Sequence, residues 1–323
     1  MKRLSLVLAC LTTLVLGWPP THGAVAATPS KGKIVFSRYH PAIDDNFLYI
    51  ARPDGTARKL FPFPAGSPNW SPDGTRVAVS SGLGQIDCSS TCAGFTVIID
   101  PSDGSWHALA PVGMPEVGTF CSLWSPDGTE FACEGGNDNH HSRNGVYLIR
   151  SSDGGGLRRL TNAGGMSDTP IAWSPDGSRL VFGRSDGNGG CSGRSAIYVV
   201  NLDGTHEHRI TPWGWCDNHG DWSNDGRWIA FERPGGSIFV VHPNGTGLTR
   251  VPLFTSAGRV FAGDVSWSPN GTKLVMLAFA PIGDGSGDYQ EGIATAHADG
   301  SHVKFVTVSP TFDHEADWGG RPE

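Results

Sequence analysis

The pentapeptide Trp70-Ser71-Pro72-Asp73-Gly74 decides the fold, because it returns along the chain at nearly constant spacing. It recurs at residues 124–128, 173–177, 222–226 and 267–271, twice with one substitution, and Trp318 stands alone near the end. Successive tryptophans are 45 to 54 residues apart. A period of about 50 residues indicates one supersecondary unit per repeat.

The residues of the pentapeptide predict a tight hairpin. Pro72 fixes φ at the first central position of a type I turn, and Asp73 suits the second. Gly74 then takes the left-handed conformation, which completes a three-residue loop with a bulge. The residues that follow, such as 76–79 (Arg-Val-Ala-Val), are typical of a short buried strand.

A second hairpin signal lies later in each repeat. Asp-Gly or Asn-Gly occurs at 54–55, 103–104, 153–154, 203–204, 244–245 and 299–300, each after a β-rich run. Two hairpins per repeat make four strands, and four-stranded sheets repeated around an axis form a propeller.

Six second-hairpin signals but only five complete repeats predict a closed ring. The first unit, residues 33–61, lacks a leading Trp strand, whereas Trp318 has no unit after it. We therefore expect the C-terminal strand to complete the N-terminal blade, which removes open sheet edges. The predicted fold is all-β, a six-bladed β-propeller of four-stranded antiparallel blades, in a single domain over residues 27–323.

The Trp-Ser-Pro-Asp-Gly hairpins resemble the WD40-like repeats of the TolB-type six-bladed β-propellers, over nearly the whole of residues 27–323. The resemblance implies that the first strand of each blade lines a central tunnel. It also implies that the connections between blades share one face with the loops after the second strands. A propeller alone implies little about function, because this fold has many uses.

The N-terminal residues are typical of a signal peptide. Lys2 and Arg3 precede an apolar run over residues 4–16, and Ala24-Val25-Ala26 offers a cleavage site. We expect residues 1–26 to be removed and the protein to be secreted or periplasmic. The alternative is a lipoprotein anchored at Cys10. No later segment is apolar enough for long enough to span a membrane.

The net charge of −7 argues against nucleic acid or an anionic membrane as the main partner. Without Lys2 and Arg3 the balance is 22 basic against 31 acidic residues, or −9. We expect a monomer with a protein or glycan ligand.

Six cysteines follow the predicted signal peptide, and an even number in an exported chain suggests three disulfides. Counting outward from the turn at 126–128 places Cys121 directly opposite Cys133. If the family arrangement holds, Cys191 and Cys216 lie in neighbouring top connections and form a second pair. Cys88 and Cys92 then pair by elimination. The spacing does not match a zinc site.

The predicted tunnel mouth carries acids beside arginines. Asp168, Asp217 and Asp313 each stand five residues before a repeat tryptophan. Arg38, Arg184 and Arg233 are expected at the top of second strands. One interpretation is a salt-bridge network that ties the blades together. The other is a polar binding pocket at the tunnel mouth.

The segment Trp213-Gly214-Trp215-Cys216-Asp217-Asn218-His219 is the sharpest binding candidate, because Trp anchors partners and stacks on sugar rings. Both tryptophans could instead fill the wedge between adjacent sheets. The adjacent His140 and His141 are candidate binding residues, but no paired ligand spacing supports a metal there. No metal or cofactor is expected.

Catalytic motifs are missing from the sequence, which has no Gly-x-Ser-x-Gly elbow and no His-Glu-x-x-His. The sequence therefore favours a secreted, non-enzymatic binding scaffold that uses the top face and tunnel mouth. The alternative is a carbohydrate-active enzyme, a polysaccharide lyase or hydrolase, with its active site in the tunnel mouth.

Overall fold

The computed structural model describes residues 32–319 except 53–54, 82–94, 110–111, 113–117, 137–140, 187–192 and 310. Its described residues form six four-stranded antiparallel sheets and one additional two-stranded hairpin. The six-bladed β-propeller expected from the repeats is confirmed.

The strands are numbered in chain order. Blade 1 combines β26 (Asp313–Gly319) with β1 (Lys33–His40), β2 (Asp45–Ala51) and β3 (Ala57–Lys59). Blade 2 contains β4 (Gly66–Trp70), β5 (Val77–Ser81), β6 (Phe95–Ile99) and β7 (Trp106–Leu109). Blade 3 contains β8 (Gly118–Trp124), β9 (Glu130–Gly136), β10 (Gly145–Arg150) and β11 (Arg158–Arg159).

The second half of the chain repeats this arrangement. Blade 4 contains β12 (Ser167–Trp173), β13 (Arg179–Ser185), β14 (Ser195–Asn201) and β15 (His208–Arg209). Blade 5 contains β16 (Asn218–Trp222), β17 (Ile229–Arg233), β18 (Ser237–Val241) and β19 (Thr249–Arg250). After the hairpin of β20 (Phe254–Thr255) and β21 (Gly258–Arg259), blade 6 contains β22 (Phe261–Trp267), β23 (Lys273–Pro281), β24 (Tyr289–His297) and β25 (Lys304–Phe305).

The C-terminal strand closes the ring as the repeat count predicts. Strand β26 pairs antiparallel with β1, with Trp318 opposite Ile34 and Asp313 opposite Arg38. Both Ile34 and Trp318 are buried in a cluster that also includes Val275 of blade 6. The first and last strands therefore share one sheet and one core.

Each repeat pentapeptide forms the expected type I turn between the first and second strands, but the loop has four residues instead of the predicted three, because Ser71 lies opposite Arg76. In blade 2 the amide of Gly74 donates to the carbonyl of Ser71, and Gly74 has a φ of 66°. The Asp73 carboxylate accepts bonds from the hydroxyls of Ser71 and Thr75. These turns hold the inner strand of each blade against the second strand.

Each inner strand (β26, β4, β8, β12, β16 and β22) contacts the inner strands of both neighbouring blades. The inner strands therefore surround the axis. We call the end with the blade-to-blade connections and the loops between second and third strands the top face. The turns between first and second and between third and fourth strands lie at the bottom face.

Cys121 and Cys133 are register partners in β8 and β9 and form a disulfide, with Cα atoms 4.1 Å apart. No helix among the described residues is both long and apolar enough to cross a membrane.

Candidate functional site

Exposed apolar side chains gather at the top face. Among the described residues ten large hydrophobic side chains are exposed, and seven of them lie at the top face, in a connection or at a strand end that borders one. The seven are Ile43, Trp215, Phe254, Ile282, Tyr289, Val308 and Phe312, whereas Phe63 packs against Trp106 and the amide of Val112 donates to Gly154 of a bottom-face turn. Scattered exposed hydrophobics are ordinary, but their concentration at one end of a molecule is typical of an interaction surface.

Trp215 is the exposed tryptophan of this face. It lies in the connection between β15 and β16 and is 56% exposed. The guanidinium of Arg233 lies 4.9 Å from the centre of its ring, which is a cation–π contact. Trp213 is partly buried in the same turn. Trp215 therefore does not fill the wedge between two sheets and remains available to a partner.

The three arginines and three aspartates predicted at the tunnel mouth form pairs within their own blades. The pairs join Arg184 Nε to Asp168 Oδ1 at 2.7 Å, Arg233 Nε to Asp217 Oδ1 at 2.6 Å, and Arg38 Nη2 to Asp313 Oδ2 at 2.7 Å. All three aspartate side chains have no exposed surface. The geometry is that of the salt-bridge interpretation.

Threonines extend two of these pairs to the preceding blade. The hydroxyl of Thr161 donates to Asp168 at 2.6 Å, and the hydroxyl of Thr307 donates to Asp313 at 2.8 Å. Each threonine follows the fourth strand of one blade, while its aspartate belongs to the first strand of the next. The charged pairs therefore fix the blades to one another beneath the exposed loops.

A different cluster, formed by His219, Glu232 and Asp264, lies nearer to solvent. The imidazole Nδ1 of His219 is 3.1 Å from Asp264 Oδ1 and 3.6 Å from Glu232 Oε2, and its side chain is 61% exposed. Hydrogen bonding to Asp264 and then to Glu232 raises the pKa of His219 to about 10. At neutral pH the cluster is therefore an imidazolium between two carboxylates.

The inner-strand residues three positions before the repeat tryptophan continue this cluster around the axis. Ser67, His219, Asp264 and Glu315 all have positive φ, from 33° to 53°, where each strand is bulged. Asp264 Oδ2 accepts the amide of Glu315 at 3.1 Å, and Glu315 Oε2 accepts the amide of Ser67 at 2.7 Å. Carboxylates thus link blades 6, 1 and 2 at one level of the tunnel.

A second acidic pair lies nearer the bottom of the tunnel. Ser266 Oγ is 3.3 Å from Asp221 Oδ2 and 3.1 Å from Asp317 Oδ1. A hydroxyl has one proton, so it donates to one carboxylate and needs a protonated acid as its second partner. Burial, together with the charge of Asp317, raises the pKa of Asp221 to about 7, and burial also raises the pKa of Asp317.

The cluster of His219, Glu232 and Asp264 has the donor set of a metal site. One ligand atom from each residue lies within 4.8 Å of the others. One imidazole nitrogen and two carboxylate oxygens suit a divalent cation such as Zn²⁺ or Mn²⁺, provided that the ring gives up its proton. No metal is expected from the sequence, where ligand spacing is considered for His140 and His141 and not for this cluster.

Other candidate residues lie away from this cluster or outside the described residues. His141 is exposed in a short 3₁₀ helix (His141–Arg143). Cys216 is disulfide-bonded, whereas His140, Cys88, Cys92 and Cys191 lie outside the described residues. The pairings of these four cysteines remain predictions.

Comparison with known proteins agrees with the fold. A family model described as the TolB beta propeller domain matches residues 110–319. The uncharacterized protein Atu1656 of Agrobacterium fabrum is 28% identical over 268 residues, which span 67% of this chain and 85% of that protein.

Solved structures share the architecture at lower identity. TolB from Acinetobacter baumannii is 21% identical with a TM-score of 0.66, over 90% of this chain and 67% of that one. A putative TolB from Agrobacterium tumefaciens is 19% identical with a TM-score of 0.61, over 89% and 98%. An oligogalacturonate lyase in complex with manganese is 17% identical with a TM-score of 0.51, over 87% and 75%. At these identities the likeness concerns the fold.

Proposed function

Because the chain belongs to the TolB β-propeller family, we propose that it is a non-enzymatic binding scaffold whose top face holds a protein partner. The observation that carries this proposal is the one-sided distribution of exposed apolar side chains around the tunnel mouth. Trp215 supplies a rigid aromatic anchor of the kind that dominates protein interfaces. Glycan binding through the same tryptophan is the competing outcome.

The acidic tunnel mouth indicates which charge the proposed partner should carry. Glu232 and Asp264 flank the imidazolium of His219, and Glu315 follows in the next blade with its amide on Asp264, so this part of the mouth keeps an excess of negative charge. A basic or hydrogen-bond-donating segment suits such a mouth, because complementary charge steers encounter and fixes register. The apolar rim would then contact the partner around that segment.

The proposed place of action is outside the cytoplasm. The charged start, the short apolar run and the Ala24-Val25-Ala26 site support export. The disulfide between Cys121 and Cys133 is compatible with an oxidising compartment. Monomeric action as a secreted or periplasmic protein is part of the proposal.

The proposal is tested by comparing two exposed tryptophans at opposite ends of the propeller. Trp215→Ala should weaken partner binding at least about tenfold, since truncating a central aromatic anchor commonly has that effect. Trp106→Ala removes a 43% exposed tryptophan at the bottom face and should leave binding unchanged. Partners captured from the extracellular fraction of the source organism are quantified against both variants, with a glycan array alongside.

Two results would contradict the proposal. Equal loss of binding in both variants would mean that the top face has no special role. A large fall in melting temperature for Trp215→Ala would instead assign that residue to the folded core.

The His219 cluster favours a second candidate function, a polysaccharide lyase or hydrolase. A histidine within hydrogen-bond reach of Asp264 at an open tunnel mouth is a combination that general acid–base catalysis uses. In this alternative, extracts of acidic and neutral polysaccharides are cleaved by the wild type, with and without added Mn²⁺. His219→Ala should abolish the cleavage, whereas Trp106→Ala should retain it.

A further inference from the structure

A basic pocket of about 530 Å³ opens at the bottom face between blades 4 and 5. Four basic side chains line it, Arg179, His208, Arg227 and His242, together with Pro243, Asn244 and Thr246 of the turn between β18 and β19. No carboxylate side chain is among the lining residues. In a chain with a net charge of −7, this concentration of cationic groups is unusual.

Neither arginine of the pocket forms a close ion pair with a described residue. The guanidinium of Arg179 lies over the ring of Trp222 at 4.9 Å, and neither it nor that of Arg227 makes an ion pair within the described part of the chain. Asp176 and Asp225, in the turns just before these arginines, accept hydrogen bonds from their own turns. The charge of Asp176 still interacts with that of Arg179, but no described carboxylate holds either guanidinium in a close ion pair, so both can contact a ligand.

The neighbouring groove, between blades 3 and 4, shows what the pocket lacks. There Glu130 starts the second strand, and its Oε2 lies 3.0 Å from Nη2 of Arg158. Arg158 also donates to the carbonyl of Leu202 in the next blade. In the groove between blades 4 and 5 the corresponding residues are Arg179 and His208, so an arginine takes the place of the neutralising glutamate.

Arg227 also departs from the pattern of its turn. The equivalent residues Thr129 and Ser178 are small, and each hydroxyl donates to the turn aspartate at 2.8 Å. In blade 5, Arg227 donates to Asp225 through its backbone amide alone, at 3.0 Å, because its side chain carries no hydroxyl. The turn thus gives up one internal hydrogen bond and gains a guanidinium beside the pocket.

The two histidines are held in place by backbone carbonyls. Nδ1 of His208 is 2.9 Å from the carbonyl of His206, and Nε2 is 3.0 Å from the carbonyl of Pro243. Because a carbonyl oxygen only accepts, whichever ring nitrogen of His208 carries the proton donates to one of these two carbonyls. His242 donates from Nδ1 to the carbonyl of Arg227 and stacks on Trp228, with ring centres 3.8 Å apart.

We propose that this pocket binds a small ligand through an oxyanion group, a phosphate, sulfate or carboxylate. Two guanidinium groups provide the planar donor geometry that such anions prefer. The pocket has the volume of sites that hold sugar-sized ligands, so the anion would be carried by a larger molecule. The pocket lies at the opposite end from the proposed partner-binding face.

The test titrates the full chain with inorganic phosphate, sodium sulfate and sodium glucuronate by calorimetry, with sodium chloride at matched ionic strength as the blank. The three probes distinguish the possible oxyanions. Arg227→Ser restores the hydroxyl that the other turns carry and should weaken the best probe about tenfold. Arg179→Glu recreates the neutralised groove of blades 3 and 4 and should abolish binding.

Arg250→Ser is the charge-matched control, because it removes one exposed arginine of blade 5 that does not line the pocket. It and Trp215→Ala should bind with wild-type affinity, and circular dichroism checks that every variant folds. Two results would overturn the proposal. One is that no probe binds the wild type beyond the chloride blank. The other is that Arg250→Ser weakens binding as much as Arg227→Ser.

Discussion

The arginines at the two ends of the propeller differ in their surroundings. At the top, Arg38, Arg184 and Arg233 each face a fully buried aspartate of the same blade. At the bottom, Arg179 and Arg227 line a pocket to which no described residue contributes a carboxylate. The first group holds the inner and second strands together. The guanidinium groups of the second group line a pocket that a ligand can enter.

The comparison of the two groups of arginines shows that a charged residue near a concave surface is not by itself evidence of a binding site. Asp313 and Arg38 lie at the tunnel mouth, yet they form an ion pair with each other, and Asp313 also accepts a hydrogen bond from Thr307. An arginine that lines a pocket and makes no close ion pair with a described residue is the more informative observation, because such a charge contributes little to the stability of the fold. Variants at the two ends should therefore affect different properties.

The largest expected effect comes from removing residues 313–323. This truncation deletes Asp313 from the top pairs and takes away all of β26, which leaves blade 1 with three strands and an open inner edge. We expect loss of the cooperative thermal transition, measured by scanning calorimetry. A truncated chain that melts cooperatively near the wild-type temperature would contradict ring closure by β26.

A smaller but still large effect is expected when one top pair is broken. Asp217→Ala leaves Arg233 mostly buried without its ion-pair partner and should lower the free energy of unfolding by about 3 kcal/mol. Arg227→Ser at the bottom should change it by about 0.5 kcal/mol or less. Urea unfolding measures both, and similar losses in the two variants would contradict the distinction between the two ends.

A smaller effect than that of breaking a top pair is expected at the exposed ion pairs of His219. Its pKa is about 10 in the folded state against about 6.5 in the unfolded state. Its contribution to stability is therefore complete below pH 6.5 and is lost as the pH rises to about 10.

His219→Gln should thus be less stable than the wild type at pH 6, by about 1 kcal/mol or less because the ring is largely exposed. The two proteins should converge at pH 10. Urea unfolding at both pH values checks this, and a difference that grew with pH would reverse the proposed sign.

Part of the site follows from sequence arithmetic. Asp168 lies on the strand that ends at Trp173. Counting outward from the predicted three-residue loop after that strand places Asp168 opposite Arg184, and the structure has these two residues in register. The same counting places Cys121 opposite Cys133. The counted pairs are right because two shifts cancel. Each turn has one residue more than the predicted loop, and the bulge between Pro170 and Ala172, like that between Cys121 and Leu123, restores the register.

The cluster of His219, Glu232 and Asp264 was not accessible in this way. His219 and Glu232 belong to blade 5, whereas Asp264 belongs to the first strand of blade 6. Their meeting depends on the bulges that give His219 and Asp264 positive φ. A useful signal was the position three residues before each tryptophan, where polar residues recur.

The number of blades, the positions of the turns and the closure of the ring follow from the amino-acid sequence, because they depend on local turn chemistry and on counting repeats. Which charges lie together across the blade boundaries, and which of the described arginines lack a close ion pair, became visible in the folded chain alone. Contacts between blades depend on how the sheets pack around the axis, and no spacing within a single repeat encodes that packing.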